Sequence, residues 1–210
     1  MHNDIITARS PNAGPLRIGV IPTIAPYFLP QCLPNIEAHF PESDLRIAED
    51  TTETILKKIK NGDLDLGILA FPVDTKDLEI RILFNESFVL AAPKSLKLKK
   101  TVSLESVQDA NLLLLREGHC LKDHILSACK LPPEKQNRFF EAESLNTLLA
   151  MVNQGYGVTL LPEMAIKANI QTAYPHVKIH KFSAPAPVRQ IGLVWRKTDI
   201  RRNGYLTLDL

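Results

Sequence analysis

The chain has 210 residues, of which 45% are hydrophobic and 23% are charged, and its formal net charge at pH 7 is +2. These values exclude a disordered chain and a strongly basic nucleic-acid-binding protein. No apolar run approaches the ~20 residues of a membrane helix, and the polar start lacks the layout of a secretory signal, which favours a cytoplasmic protein.

The first third of the chain alternates strands with helices. Strands are predicted at 15–22, 44–50 and 63–71, and helices at 26–41 and 51–62. The prolines of the first helix are expected in its early part, where a missing N–H does least harm. Thr51 or Thr52 can cap the second helix, and Gly62 is expected to end it. Because the strands are apolar and the links short, this order predicts a parallel sheet covered on both faces.

A second cycle of alternation follows two further predicted strands, at 78–84 and 87–93, and a basic segment at 94–100. It consists of strands at 111–115, 137–143 and 158–162, helices at 116–133 and 144–157, and a last strand at 189–196. This order predicts two α/β lobes joined by crossovers, with a ligand site in the cleft between them. The expected divisions are a disordered or appended segment at 1–14, a first lobe at 15–86 plus 190–210, and a second lobe at 87–189.

Two of the three cysteines, Cys120 and Cys129, are nine positions apart within the helix predicted at 116–133. In a regular helix their side chains would be ~13.5 Å apart along the axis and about half a turn out of phase. A disulfide requires Cα atoms within ~7 Å, so a bond between these thiols would need the intervening residues to unwind. The segment would therefore have two incompatible structures, one for each redox state, as a switch requires.

Cys120 has the surroundings of a reactive thiol. It follows Gly118 and His119 at the predicted start of the helix, where backbone N–H groups favour an anion. His119 and Lys122 add positive potential, and together these effects lower the pKa of a thiol and populate its thiolate. Attack on a peroxide would give a sulfenic acid, with which a second thiol such as Cys129 could condense.

Other interpretations of these residues stay open. The two cysteines are equally compatible with a structural role, since Cys129 falls on the apolar stripe of the helix. A zinc site is a weaker alternative, because Cys120 and His124 share a helix face whereas Cys129 points the other way. Cys32 is most simply a core residue of the first helix, and the basic segment 94–100 is most simply a solvated face.

Four stretches of the sequence resemble one known family. They are LRIGVIPTIAPYFLPQCLPNIEAHFP (16–41), LKKIKNGDLDLGIL (56–69), NTLLAMVNQGYGVTLLP (146–162) and RQIGLVWR (189–196). Together they resemble the effector-binding domain of LysR-type transcriptional regulators, from about Pro15 onward. The resemblance implies a two-lobed, periplasmic-binding-protein-like α/β fold, in which each lobe is a Rossmann-like, mainly parallel sheet with flanking helices. Within the family, the segment GHCLKDHILSAC (118–129) is similar to that of the hydrogen peroxide sensors.

The resemblance implies a role for each of several residues. Cys120 matches the cysteine that reacts with peroxide, and Cys129 matches its disulfide partner. The remaining matches are Thr23 and Thr52, hydroxyls that line the peroxide pocket; His119 and Asp123, which orient peroxide and assist proton transfer; and Arg189, a basic residue near the thiolate. Lys122 stands where some members carry arginine, so its charge is retained but a bidentate contact is in doubt. Thr52 is also compatible with a simple helix cap, and Arg189 with a surface charge.

The resemblance also implies partners. LysR-type regulators carry a winged helix-turn-helix and a linker helix before this domain, which residues 1–14 do not provide, so we expect a sensor domain excised from a longer protein. Promoter DNA would be bound by the missing part, and the domains would form homodimers or homotetramers. No cofactor, metal or membrane contact is expected, and no enzymatic activity.

Three functional hypotheses follow for this chain. The first is a peroxide-sensing domain with a thiol-disulfide switch. The second is a LysR-type domain that binds a small organic inducer, with incidental cysteines. The third is a thiol peroxidase that turns over peroxide as an enzyme, against which the resemblance counts.

Overall fold

The computed structural model describes residues 13–108, 110–116, 125, 141–166 and 170–210. In chain order its elements are β1 (Gly14–Val20), α1 (Ala25–His39), β2 (Ser43–Glu49), α2 (Thr52–Asn61), β3 (Leu66–Phe71), β4 (Leu78–Pro93), β5 (Thr101–Val102), α3 (Glu105–Gln108), β6 (Leu114–Leu115), β7 (Glu141–Ala142), α4 (Leu145–Asn153), β8 (Thr159–Pro162), α5 (Glu163–Ile166), α6 (Ile170–Ala173), β9 (Val177–Phe182), β10 (Val188–Arg196) and α7 (Arg202–Thr207).

The chain divides into two compact units. The first unit runs to Phe84 and resumes with Gln190–Leu210, and the second unit is Asn85–Arg189. Strands β4 and β10 each contribute residues to both units. The sequence-based division of the lobes placed the first boundary after residue 86 and the second after 189.

The sheet of the first unit has the order β2-β1-β3-β10, with β4 beyond β10. Strands β2, β1 and β3 are parallel, as predicted, and β10 is antiparallel to β3. All six residues of β3 are buried, which agrees with a central strand covered on both faces. The predicted α/β fold class is confirmed, with a mixed rather than purely parallel sheet.

Helix α2 packs closely on this sheet because Gly19 in β1 and Gly67 in β3 have no side chain. Ile55 and Ile59 are fully buried on its inner face. A Cβ atom at Gly67 would lie 2.9 Å from the Ile59 side chain and 2.7 Å from that of Val194. The helix ends at Gly62, which has a φ of 82° in the left-handed region, as the sequence predicted.

Helix α1 departs from the prediction in one respect. Pro30 and Pro34 both lie inside the helix, so the prolines are not confined to its early part. The helix persists because its inner face, which includes Phe28, Cys32 and Ile36, is buried against the unit. Tertiary packing therefore outweighs the loss of backbone hydrogen bonds at the two prolines.

The second unit contains more antiparallel pairing. The second part of β4 pairs antiparallel with β8 and β9, and β5 pairs parallel with β9. Strands β6 and β7 form a small parallel sheet, beside which Leu112 bridges Val158. Helix α4 begins at an N-cap, Ser144, whose hydroxyl accepts a hydrogen bond from the N–H of Thr147 at 3.2 Å.

The predicted strands differ from the described ones in three respects. The two strands predicted at 78–84 and 87–93 are one continuous strand, β4. The strand predicted at 111–115 is reduced to β6, and in the described part of 137–143 the strand is β7. Strand β9 was not predicted, because its two lysines and its histidine obscure the apolar pattern of Val177–Phe182.

A network of ion pairs, with buried carboxylates and partly exposed arginines, lies toward the amino ends of β1 and β3. Asp65 accepts hydrogen bonds from the backbone N–H of Arg17 at 2.9 Å, from its Nε at 3.0 Å and from its Nη2 at 2.8 Å. Arg196 Nη2 donates to Asp65 at 3.2 Å and to Asp199 at 2.7 Å. These contacts join β1, β3 and β10 at the end of the sheet opposite to the loops that follow β1 and β2.

The pKa values of the two carboxylates in this network are shifted in opposite directions. Burial alone would raise the pKa of Asp65, but its hydrogen bonds from Arg17 outweigh burial and hold that pKa below its ordinary value. Burial raises the pKa of Asp199, although the N–H of Arg201 opposes the change. Asp65 is therefore the carboxylate whose charge stabilises the fold.

No helix in the described part of the chain combines the length and the apolar character needed to cross a membrane.

Candidate functional site

Thr23 and Thr52 both follow the carboxyl ends of neighbouring parallel strands. Thr23 lies between β1 and α1, and Thr52 is the first residue of α2, after β2. Because β1 and β2 are parallel and in register as far as Val20 and Glu49, both loops leave the same edge of the sheet. This is the edge at which open α/β sheets bind ligands. The structure thus places these two predicted residues on one edge of the first unit.

Thr51 and Thr52 have different roles, which the sequence left open. Thr51 is the N-cap of α2, and its Oγ1 accepts a hydrogen bond from the N–H of Thr54 at 3.4 Å. Thr52 is 8% exposed, and its Oγ1 is buried with no hydrogen-bond partner among the described residues. A buried hydroxyl without a partner costs about 1–3 kcal/mol. Such a group in a native protein calls for an explanation, of which a polar ligand is one.

The loop before Thr52 is held in place by Asp50. One carboxylate oxygen of Asp50 accepts a hydrogen bond from the N–H of Thr51 at 3.2 Å, and the other lies 2.7 Å from Lys58 Nζ. The N–H of Asp50 donates to the carbonyl of Val20 at 3.2 Å. The hydroxyl of Thr52 is therefore presented from a backbone that is fixed before any ligand arrives.

Thr23 is 2% exposed. The turn that carries it begins with Ile21, whose N–H donates to the carbonyl of Ile68 in β3 at 3.4 Å, and the N–H of Ile24 donates to the Ile21 carbonyl at 2.9 Å. The turn is thus anchored to the sheet, and Thr23 is an interior residue of this edge.

Arg189 belongs to the second unit, and it is not a surface charge. Its side chain is fully buried, and Nε donates to Glu86 Oε2 at 2.7 Å. The guanidinium carbon lies 5.9 Å from the centre of the Phe88 ring, and Nη2 lies 4.0 Å from the sulfur of Met164. The surface alternative that the sequence left open for Arg189 is therefore wrong. Burial of a charged arginine is tolerated where a carboxylate accompanies it.

Glu86 is a residue that the sequence reasoning missed. Its side chain is 4% exposed, and its second oxygen, Oε1, accepts a hydrogen bond from the N–H of Met164 at 2.9 Å. Glu86 thus ties β4 to both β10 and α5. The signal in the sequence is a carboxylate in the polar run 85–87, which precedes the apolar residues 88–93 and resembles a break between two strands.

Cys32 is a core residue, as predicted. It is 2% exposed, and its thiol lies 3.7 Å from the carbonyl oxygen of Leu29. Burial raises the pKa of the Cys32 thiol to about 11. Because the thiolate is the reactive form, Cys32 is a poor nucleophile near neutral pH.

The other predicted site residues lie outside the described residues. They are His119, Cys120, Lys122, Asp123 and Cys129. Their roles stay predictions, as do the zinc alternative that includes His124 and the helix predicted at 116–133. Within the described part of the chain, no group of three or more histidine, cysteine, aspartate or glutamate side chains is placed to hold a metal ion.

Comparison with known proteins identifies the family. Residues 9–204 match the model of the LysR substrate binding domain. The chain belongs to this family. It is 36% identical over 202 residues to the HTH-type transcriptional regulator EstR of Acinetobacter baylyi, a match that covers 95% of this chain and 67% of that protein. It is 38% identical over 200 residues to a probable hydrogen peroxide-inducible genes activator of Mycobacterium leprae, covering 93% of this chain and 63% of the activator.

A solved structure resembles the chain over its whole length. It is a cysteine-to-serine mutant of OxyR from Corynebacterium glutamicum, H2O2-bound, with a TM-score of 0.88 and 27% identity, covering 99% of this chain and 67% of that one. The chain thus spans about two thirds of the length of the regulators that it matches. The predicted resemblance to LysR-type, OxyR-like regulatory domains is confirmed, and so is the fold class. These relatives are transcriptional regulators and not enzymes, as expected.

Proposed function

We propose that this chain is the redox-sensing regulatory domain of a LysR-type, OxyR-like transcription factor, with hydrogen peroxide as its effector. The observation that carries the proposal is the likeness, over 99% of the chain, to H2O2-bound OxyR, in a sequence with two cysteines nine positions apart. Relatives named as hydrogen peroxide-inducible genes activators support it. So does the buried hydroxyl of Thr52, which has no hydrogen-bond partner among the described residues and can serve a small polar ligand.

The proposed chemistry has two steps. The Cys120 thiolate attacks one oxygen of hydrogen peroxide, the O–O bond breaks, and the products are a Cys120 sulfenic acid and hydroxide, which leaves as water once protonated. The Cys129 thiol then attacks the sulfenic sulfur, an S–S bond forms and a second water leaves. Peroxide is the oxidant, and the two thiols supply both electrons.

Four side chains are assigned to the first step. We assign to Thr23 and Thr52 the hydrogen bonds that hold peroxide, since both lie at the ligand-binding edge of the first unit. His119 and Asp123 orient the peroxide and pass a proton to the departing oxygen, which is otherwise a poor leaving group.

Two cations are assigned to the thiolate of Cys120. Lys122 contributes as a point charge. Arg189 contributes a charge that Glu86 balances at 2.7 Å, so its effect is smaller than that of a guanidinium without a carboxylate partner.

Disulfide formation would change more than the site. Joining Cys120 to Cys129 is incompatible with a regular helix between them, so the segment must refold in the oxidised form. We infer that this remodels a homodimer or homotetramer and thereby changes transcription in the oxidative stress response. Promoter DNA would be bound by parts of the regulator outside this chain, in the cytoplasm.

The experiment that tests the mechanism traps the sulfenic acid. The domain and its Cys120→Ser and Cys129→Ser variants receive one equivalent of peroxide in the presence of dimedone, and adducts are mapped by mass spectrometry. We expect a stable adduct on Cys120 in Cys129→Ser, none in Cys120→Ser, and little in the unchanged protein, because the disulfide forms first. An adduct on Cys129 in the Cys120→Ser variant would contradict the assignment.

The second candidate is a LysR-type domain that binds a small organic inducer without redox chemistry. The 36% identity to EstR supports this second candidate, because the name of that regulator does not refer to peroxide. In this case the Thr52 hydroxyl would accept a hydrogen bond from the inducer or donate one to it. It predicts that peroxide leaves both cysteines reduced and that a small organic molecule from a metabolite panel raises the Tm of the domain.

A further inference from the structure

The structure brings a set of lysines together along one border of the second unit. Segment 94–100 runs beside β9: the N–H of Lys94 donates to the carbonyl of His176 at 2.7 Å, and Thr101 is the register partner of Lys181. The exposed lysines of this border, called here the lysine border, are Lys94, Lys97, Lys99, Lys100, Lys178 and Lys181.

The two stretches that form the lysine border are rich in basic residues and contain no acidic residue. These stretches are 88–104 and 170–187. None of its lysines forms an ion pair with another described residue. The net charge of the whole chain is only +2, so the rest of the chain carries more acidic than basic side chains. The positive potential is therefore concentrated on this border.

The backbone beneath the lysines is fixed. His180 is 1% exposed, and its Nδ1 lies 2.6 Å from the carbonyl oxygen of Lys99. The carbonyl of Val102 accepts a hydrogen bond from the N–H of Ser183 at 2.9 Å. The segment is thus held at both of its ends against β9, and the side chains project from a preformed edge.

The composition of the border favours a phosphate backbone over a protein partner. Lysine is depleted at protein interfaces, which are enriched in aromatic residues and arginine. The border offers no exposed phenylalanine, tyrosine, tryptophan or arginine, and its one large exposed apolar residue is Leu96, at 41%. Lysines act as mobile point charges, which suit phosphates that carry no sequence information.

We propose that the lysine border binds the phosphate backbone of duplex DNA without sequence preference. The interaction is electrostatic, so the affinity for DNA falls as the salt concentration rises and cations compete with the lysines for the phosphates. This surface lies outside the residues assigned to peroxide sensing, and the proposal stands whether or not Cys120 reacts with peroxide.

The test uses the full chain and a fluorescein-labelled duplex of arbitrary sequence, about 30 base pairs long, titrated by anisotropy at several salt concentrations between about 25 and 200 mM. The test variant combines Lys97→Gln, Lys99→Gln and Lys100→Gln. The control combines Lys57→Gln, Lys60→Gln and Lys76→Gln, three exposed lysines of the first unit that form no ion pair with a described residue. Circular dichroism establishes that both variants are folded.

We expect the unchanged chain and the control to bind alike. The test variant should bind about tenfold more weakly or worse at 50 mM salt, and its plot of log affinity against log salt should be shallower by roughly one for each phosphate that the border no longer neutralises. Equal binding by the two variants, or no binding by the unchanged chain at low salt, would overturn the proposal. Stronger displacement of the labelled duplex by poly-L-glutamate than by unlabelled duplex at equal charge concentration would also overturn it, in favour of an acidic protein partner.

Discussion

Replacing Thr52 by valine tests whether the first unit holds a hydroxyl that serves a ligand and not the fold. Valine has nearly the same shape as threonine, so the change removes Oγ1, which is buried without a hydrogen-bond partner among the described residues, and leaves the packing intact. Removing an unpaired buried hydroxyl in this way should stabilise the fold by about 1–2 kcal/mol. For a chain of this size, that corresponds to a Tm higher by roughly 2–8 °C.

The same substitution one residue earlier is the matched control. The Thr51 hydroxyl accepts the N–H of Thr54 at 3.4 Å and caps α2, so Thr51→Val should destabilise the fold by about 1 kcal/mol. Thermal unfolding followed by circular dichroism should therefore shift in opposite directions for the two variants. If Thr52→Val lowers the Tm as far as Thr51→Val does, the hydroxyl of Thr52 stabilises the fold and is not held in reserve for a ligand.

Thr52→Val should also slow the reaction with peroxide, if the proposed function holds. Loss of one hydrogen bond to the reacting peroxide should lower the second-order rate constant of Cys120 oxidation by about tenfold. The rate is measured by quenching the reaction with a thiol-blocking reagent and counting free thiols. Thr51→Val should leave the rate constant within about twofold of the unchanged chain at temperatures where both are folded.

Other outcomes follow from the buried charges and from Cys32. Glu86→Gln or Arg189→Met should each destabilise the fold by about 3–5 kcal/mol in urea unfolding, whereas the double variant Glu86→Met with Arg189→Met should recover most of that loss, since no buried charge is then unpaired. Asp65→Asn should lower the free energy of unfolding by about 2 kcal/mol at pH 7. The loss is moderate because solvent screens the charge of the partly exposed Arg17. Folding lowers the pKa of Asp65, so its charge stabilises the fold above about pH 4, and this stabilisation is lost as the pH falls further. The difference in free energy of unfolding between the unchanged chain and Asp65→Asn should therefore narrow below that pH. Cys32 should resist iodoacetamide at pH 8 in the folded protein, because its pKa is about 11, and should react once urea unfolds the chain; alkylation in the folded state would contradict its burial.

Local signals were sufficient for much of the first unit. Apolar strands, a threonine before a helix and Gly62 at its end define β1, α2 and β3 through contacts close in sequence, and the structure has them as expected. The positions of Thr23 and Thr52 after parallel strands likewise follow from element order alone. The different roles of Thr51 and Thr52 required coordinates, since both hydroxyls are suitable caps.

Non-local pairing explains what the sequence did not reveal. Glu86 looks like a strand break because its partners, Arg189 and the N–H of Met164, are distant in the chain. Strand β9 escapes notice because its two exposed lysines and its histidine interrupt the apolar residues of a strand that pairs with both β4 and β5. In both cases the residue types reflect contacts with partners that are distant in the sequence, and the local hydrophobic pattern does not reveal such contacts.

The central claim is that peroxide joins Cys120 to Cys129 within one chain. The most direct measurement is peptide mapping by mass spectrometry after one equivalent of hydrogen peroxide, with free thiols blocked before digestion. The account predicts a single linked peptide pair that contains Cys120 and Cys129, with Cys32 recovered in its blocked, reduced form after unfolding. Recovery of both Cys120 and Cys129 as blocked thiols would contradict the account, and the inducer-binding alternative would then be the better description of this domain.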